Sequence, residues 1–173
     1  MKTIGVISDT HGLMRPEALE ALRGADLIIH AGDIGAPEVL EGLRSIAEVV
    51  AIKGNNDRAA WAREIPETAA VNVAGVEIYI IHSVHDLDFN PAVAGFRVVI
   101  SGHSHNPSIG DRDGVLYLNP GSAGPRRFKL PIAVARLKVD GADVKAEIVA
   151  LEATPQTKSL TSAKPRHIKN STF

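Results

Sequence analysis

Apolar and polar positions alternate along the first half of the chain in a strand-then-helix rhythm. Lys2–Ser8 mixes β-branched and small residues and reads as a buried strand. Pro16 opens the helical pattern PEALEALRG, with proline at an early helical position and Gly24 as the stop. Asp26–His30 predicts a second strand, Pro37–Ile46 a second helix and Glu48–Ile52 a third strand. Strands and helices alternating at this spacing predict a parallel α/β arrangement. The second half changes character. Val71–Val73, Val76–Ile81 and Arg97–Ile100 read as strands with little helix between them, and Asp113-Gly114 and Asp140-Gly141 are hairpin-turn signals. The expectation is therefore an α/β first half joined to a mostly antiparallel second half, as two sheets packed in one domain over residues 1–152. From Ala153 the apolar periodicity stops and Lys, Pro, Ser and Thr take over, so 153–173 reads as a basic, poorly ordered tail rather than a functional arm.

Composition narrows the function. A chain of 173 residues has room for one domain with a proper core. An apolar fraction of 45% with 23% charged residues excludes a mainly disordered chain. A formal net charge of -1 excludes a broad basic footprint, so nucleic acid is not the expected partner. No apolar run approaches the ~20 residues of a membrane helix. The short apolar stretch after Lys2 meets Asp9 at once, which is no secretory leader, and a cytoplasmic location is expected. With no cysteine in the chain, a metal must be held by His, Asp, Glu or Asn.

Those residue types collect where strands end. In open α/β sheets ligands bind outside the carboxyl ends of the strands. The five predicted strands there run into Ser8-Asp9-Thr10-His11, Gly32-Asp33, Gly54-Asn55-Asn56-Asp57, His82-Ser83 and Gly102-His103-Ser104-His105. Each piece has a plainer reading. Asp9 or Asp33 can cap a turn or helix, Asn55 can be a left-handed turn residue, and a single His82 can be a hydrogen-bonded surface group. His103 and His105, two apart, are harder to dismiss, because that spacing converges on one face or in one tight loop. Chance is a poor account of all five. A sulfur-free set of Asp, Asn and His suits Mn²⁺ first, with Fe, Zn²⁺ or Ni²⁺ as alternatives. His30, inside DLIIH, reads as a packed or supporting histidine; His85 is ambiguous, and His167 belongs to the tail.

Read in order, SDTHG, GD, GNND, IHS and GHSH resemble the calcineurin-like metallophosphoesterase superfamily, and most of all its small YfcE-like phosphodiesterase branch. The Asn119-Pro120-Gly121-Ser122 loop looks like that branch too. The resemblance implies an αββα sandwich of two mixed sheets flanked by helices. It implies two divalent metal ions: Asp9, His11 and His105 on the first, Asn55, His82 and His103 on the second, and Asp33 bridging both. Asp33, Asn55 and His82 would carry the catalysis through a water shared by the ions. Asn55, and more weakly Arg126, would meet a small phosphodiester substrate. In two places the chain departs from the family pattern. Asn56 stands where larger members have a histidine that assists the leaving group, and Ser83 stands where glycine is usual. Two rival functions share these residues. A retromer subunit keeps the fold as a protein-interaction scaffold, but that lineage has lost ligand histidines that this chain keeps. A nuclease fits poorly with the neutral charge and an aromatic content of 4%.

Overall fold

Alternation along β1 (Lys2–Ile7) turns Ile4 and Val6 to one side of a sheet and Ile7 to the other. The computed structural model describes residues 1–151; the 153–173 tail expected from the sequence lies outside them. After β1 come α1 (Pro16–Ala21), β2 (Leu27–His30), α2 (Pro37–Arg44) and β3 (Glu48–Ala51). The second half supplies β4 (Thr68–Val73), β5 (Val76–Ile81), β6 (Val98–Ile100), β7 (Ser108–Arg112), β8 (Val115–Asn119), β9 (Ala133–Asp140) and β10 (Asp143–Ala150). They form two five-stranded sheets, in the orders β10-β9-β1-β2-β3 and β4-β5-β6-β8-β7.

The main core lies between the sheets. Ile4, Val6, Ile29 and Ile52 face Ile78, Ile80, Val98, Ile100 and Leu118 across it. On the far side of the first sheet, Ile7, Ile28 and Val134 pack on Leu22 of the α1 end and on Val39, Leu40 and Leu43 of α2. Gly5 makes room for that layer, since a Cβ there would lie 2.7 Å from Leu22 Cδ2. The outer face of the second sheet has no such helical cover among the described residues. A loop containing the 3-10 turn Val84–Asp86 packs there instead, with Leu87 against the group formed by Tyr79, Ile81, Val99 and Tyr117.

The expected fold class stands: two packed mixed sheets with helices outside, although the α-helices of the described chain flank the first sheet alone. The second half is less antiparallel than its pattern suggests. β5–β6 and β6–β8 are parallel ladders, and the β9–β10 hairpin leaves its neighbours to pair antiparallel with β1 of the first sheet. β7, exposed along its whole length, carries no alternation and was not legible. The arrangement has one consequence for function. β1, β2 and β3 run parallel, as do β5, β6 and β8, so six strands deliver their carboxyl-end loops to common edges.

Candidate metal centre

Those loops are held in backbone conformations that few residues accept. Among the described non-glycine residues, Asp9 (φ 54°), His11 (46°), Asp33 (53°), His103 (67°) and His105 (60°) all lie in the left-handed region. That region costs an ordinary L-residue roughly 1–2 kcal/mol, and backbone strain concentrates at functional sites. Inter-loop hydrogen bonds hold it in place. Asp9, His11 and Gly12 donate backbone N–H groups to Gly32, Asp33 and Ile34 at 3.0, 3.0 and 2.8 Å, laying the loop after β1 on the loop after β2.

Asp9 is gripped through one oxygen and Asp33 through both. Asp9 Oδ2 accepts hydrogen bonds from the Ser8 hydroxyl at 2.7 Å and the His103 N–H at 3.0 Å. Its Oδ1 is buried and accepts none. Asp33 Oδ1 accepts the Asn56 N–H at 2.9 Å, and Oδ2 accepts the Asn56 side-chain amide at 3.1 Å. Burial alone would raise the Asp33 carboxyl, but His82 and the Asn56 N–H outweigh it and hold it well below the ordinary carboxylate range. Close approach needs glycine at two points: a Cβ on Gly54 would fall on Asp33 Oδ1, and one on Gly102 would fall on the Ser8 hydroxyl.

The histidines complete two groups of facing donor atoms. Asp9, His11 and His105 form one, and Asp9, Asp33 and His82 the other, with the offered atoms within 4.8 Å of one another in each. His105 Nε2 lies 3.2 Å from Asp9 Oδ1 and 3.4 Å from His11 Nε2. Asp9 belongs to both groups; Asp33 Oδ2, in the second, lies 3.4 Å from His82 Nε2 and 3.9 Å from His11 Nε2 of the first. His82 donates Nδ1–H to the Ala31 carbonyl at 2.7 Å, so neutral His82 presents the lone pair of Nε2, a buried atom with no hydrogen-bond partner. Burial pulls the His82 pKa down, but Asp33 and the Ala31 carbonyl outweigh it and leave it raised. His105 moves the other way, lowered first by burial, with the charges of Arg127 and His11 adding to it. Ligands at ~2.0–2.2 Å around one small divalent cation stand roughly 3–3.5 Å apart, close to these separations. Buried bare acceptors at that spacing fit a metal ion.

Other expected residues sit at the margin. His103 is exposed and outside both groups, its ring centroid 5.2 Å from that of His82. Asn55 is exposed, and its carbonyl accepts the Arg58 side chain at 2.9 Å. Arg126 is exposed and its side chain makes no hydrogen bond or ion pair with a described residue; Arg127 is the neighbour whose charge reaches His105. His30 is fully buried and satisfied: its Nδ1 accepts the Gly32 N–H at 3.2 Å, so Nε2–H donates to Thr10 Oγ1 at 2.9 Å.

Two supports were missed in the sequence. Asp57, buried, accepts backbone N–H groups from Ile34, Gly35 and Gly54 at 3.0, 2.9 and 2.9 Å, tying the loop after β2 to the loop after β3. An Asp closing a Gly-Asn-Asn-Asp turn was the available signal. Asn119 donates to the Gly102 carbonyl at 2.8 Å and to Ser104 Oγ at 3.1 Å, fixing the loop that carries both late histidines. Ser122 Oγ donates to the Asp9 carbonyl at 2.9 Å from the same Asn-Pro-Gly-Ser run.

Two packed mixed sheets with carboxylates and histidines gathered at their strand ends define a metal-binding phosphoesterase class. Residues 1–142 match the model of the calcineurin-like phosphoesterase superfamily domain, and the chain belongs to that family. A Methanothermobacter thermautotrophicus protein described as a "probable metallophosphoesterase" is 36% identical over 158 residues, covering 84% of this chain and 91% of that protein. A protein named as a phosphodiesterase in Methanocaldococcus jannaschii is 28% identical over 137 residues, covering 68% of this chain and 82% of that one. Among solved structures, a Streptococcus pneumoniae protein described as a predicted phosphoesterase superposes with a TM-score of 0.66 at 27% identity, over 90% of this chain and 94% of that one. Zinc-complexed Vps29 of Entamoeba histolytica superposes at 0.68 with 22% identity, over 86% and 98%, a likeness of fold.

Asp57→Asn should weaken metal binding about 10- to 100-fold, the usual cost of losing an outer support, because an amide cannot accept from all three N–H groups. Titration of metal-free protein with Mn²⁺ checks this; unchanged affinity in a folded variant would show that the clamp is dispensable. A second expectation concerns acid. Burial, helped by the charge of His82, pushes the His30 pKa down to about 3 from 6.5. Between those values the unfolded chain binds the proton and the native one does not, so this contribution is present above pH 6.5 and lost as pH falls toward 3. Urea unfolding of metal-free His30→Gln across that range should show a shallower loss of stability than the parent.

Proposed function

We propose that the chain is a metal-dependent phosphodiesterase built around two divalent ions, with Mn²⁺ the best match to its nitrogen and oxygen donors. The observation that carries this reading is the set of buried atoms without partners, Asp9 Oδ1 and His82 Nε2 above all. Burying such groups costs several kcal/mol unless something binds them. In this reading Asp9, His11 and His105 would hold one ion, Asn55, His82 and His103 the other, and Asp33 would serve both. Bound there, divalent ions would supply charge neutralisation to the phosphate and lower the pKa of a water. The relative named as a phosphodiesterase supports the reaction class.

The chain's own part is orientation. Ser8 and the His103 N–H turn Asp9 so that Oδ1 faces the site. Asn56 occupies the position of the family's leaving-group histidine, and its amide is turned onto Asp33 Oδ2. An amide has no proton to give at neutral pH, so it steadies the carboxylate and leaves the departing oxygen without an acid from this position. The alternative of a non-catalytic scaffold draws on the Vps29 fold; zinc-complexed Vps29 shares it, so turnover and not metal binding separates the two readings.

The test is a series of diesters graded by leaving-group acidity, assayed with metal-loaded protein. A positioned acid contributes ~10²–10⁴-fold, so its lack should make turnover depend steeply on the leaving group, with activated aryl diesters cleaved readily and alkyl diesters poorly. Asp33→Asn should abolish turnover of all of them. A flat dependence with chemistry rate-limiting would assign the proton to another residue, His85 being the first to test. Activity undiminished in Asp33→Asn would sink the metal assignment itself.

A further inference from the structure

Beside the metal centre a cleft of about 460 Å³ opens between the loop after β3 and the end of β5. Its lining includes Asn55 and His82, the buried histidine with the unpartnered Nε2. Lys53 lines it too, half-buried, its ammonium without an ion-pair partner among the described residues. On the same lining stand Glu67, Asp86 and Asp88, exposed carboxylates whose oxygens make no hydrogen bond or ion pair with a described residue. Tyr79 forms one wall. Its ring is braced edge-on by Phe89 at 5.0 Å between centroids and at a tilt by Phe96 at 5.2 Å. One lining therefore combines candidate metal ligands, a cation, an aromatic ring and three free carboxylates.

We propose that this cleft is the subsite for the substituent that a diester keeps after hydrolysis, and that it selects substituents carrying an ammonium group. The inference rests on the phosphodiesterase reading above. Lys53, on the same lining as Asn55 and His82, offers a cation for a phosphate oxygen, while carboxylates and an aromatic ring together are the chemistry that recognises ammonium groups. The same three carboxylates repel an anionic substituent. One lysine against three acids leaves the wall with a net negative charge, so the discrimination is electrostatic and screened by salt.

The test uses three 4-nitrophenyl diesters that share a leaving group and differ in what is retained: phosphorylcholine, ethyl phosphate and 2-sulfoethyl phosphate. With the metal-loaded full chain, kcat/KM should fall in that order, the cationic substrate exceeding the ethyl ester by about 5- to 20-fold, as exposed charges and one aromatic face permit. Asp86→Asn/Asp88→Asn should collapse the ratio toward one, and raising salt from about 20 to about 300 mM should shrink it in the parent protein. Equal rates, a faster sulfoethyl ester or a ratio untouched by the double variant would overturn the proposal. Calorimetry with phosphocholine and ethyl phosphate separates the two readings. If none of the diesters turns over, the phosphodiesterase reading fails; tighter binding of phosphocholine then still supports the ammonium subsite, and equal binding overturns it.

Discussion

Two buried carboxylates set the terms for the rest of this protein. Asp9 is wholly inaccessible and Asp33 nearly so, yet the ion-pair partners within 4.0 Å of either, among the described residues, are histidines alone. No described lysine or arginine comes in to balance them. Their hydrogen-bond donors are a serine hydroxyl, backbone N–H groups and the Asn56 amide, all neutral. Buried negative charge held by neutral donors, with Oδ1 of Asp9 left bare, is a poor arrangement for stability alone. It suits a fold that leaves room for a cation from outside.

The scaffold follows from that constraint. Parallel ladders are what bring several strand ends to common edges, and the first sheet does so with three strands while the second adds three more. The loops they deliver must turn sharply, which places five aspartates and histidines in the left-handed region. Asp57, Asn119 and Ser122 then tie loop to loop, so that the strain is held by hydrogen bonds belonging to elements distant in sequence.

Much of this could be read from residues alone, for identifiable reasons. β1, β2 and β5 are apolar runs that stop abruptly at polar ligands, so both the strand and its chemical end were visible. The helices were placed well at their prolines and less well at their ends, since α2 finishes at Arg44 and Ile46 closes it only through a turn bond to Leu43. β4 starts at Thr68, three residues before its apolar signal, because pairing with β5 and not propensity extends it. β7 and the return of β9–β10 to the first sheet depend on tertiary pairing that no local pattern encodes. At the site, residue types and spacing pointed to Asp9, Asp33 and the histidines. They could not show that Asn56 folds back on Asp33, or that Asp57 serves the backbone.

The central claim is that the strained loops and bare acceptors form a cation site on which the native structure draws for stability. Equilibrium unfolding of metal-free protein at rising free Mn²⁺, with bound ions counted by titration, tests it most directly. The account predicts two ions per chain and stability that climbs with free metal, by about 2.7 kcal/mol at a hundredfold excess over a single-site Kd. Saturation at one ion, or an unfolding curve indifferent to metal, would contradict it.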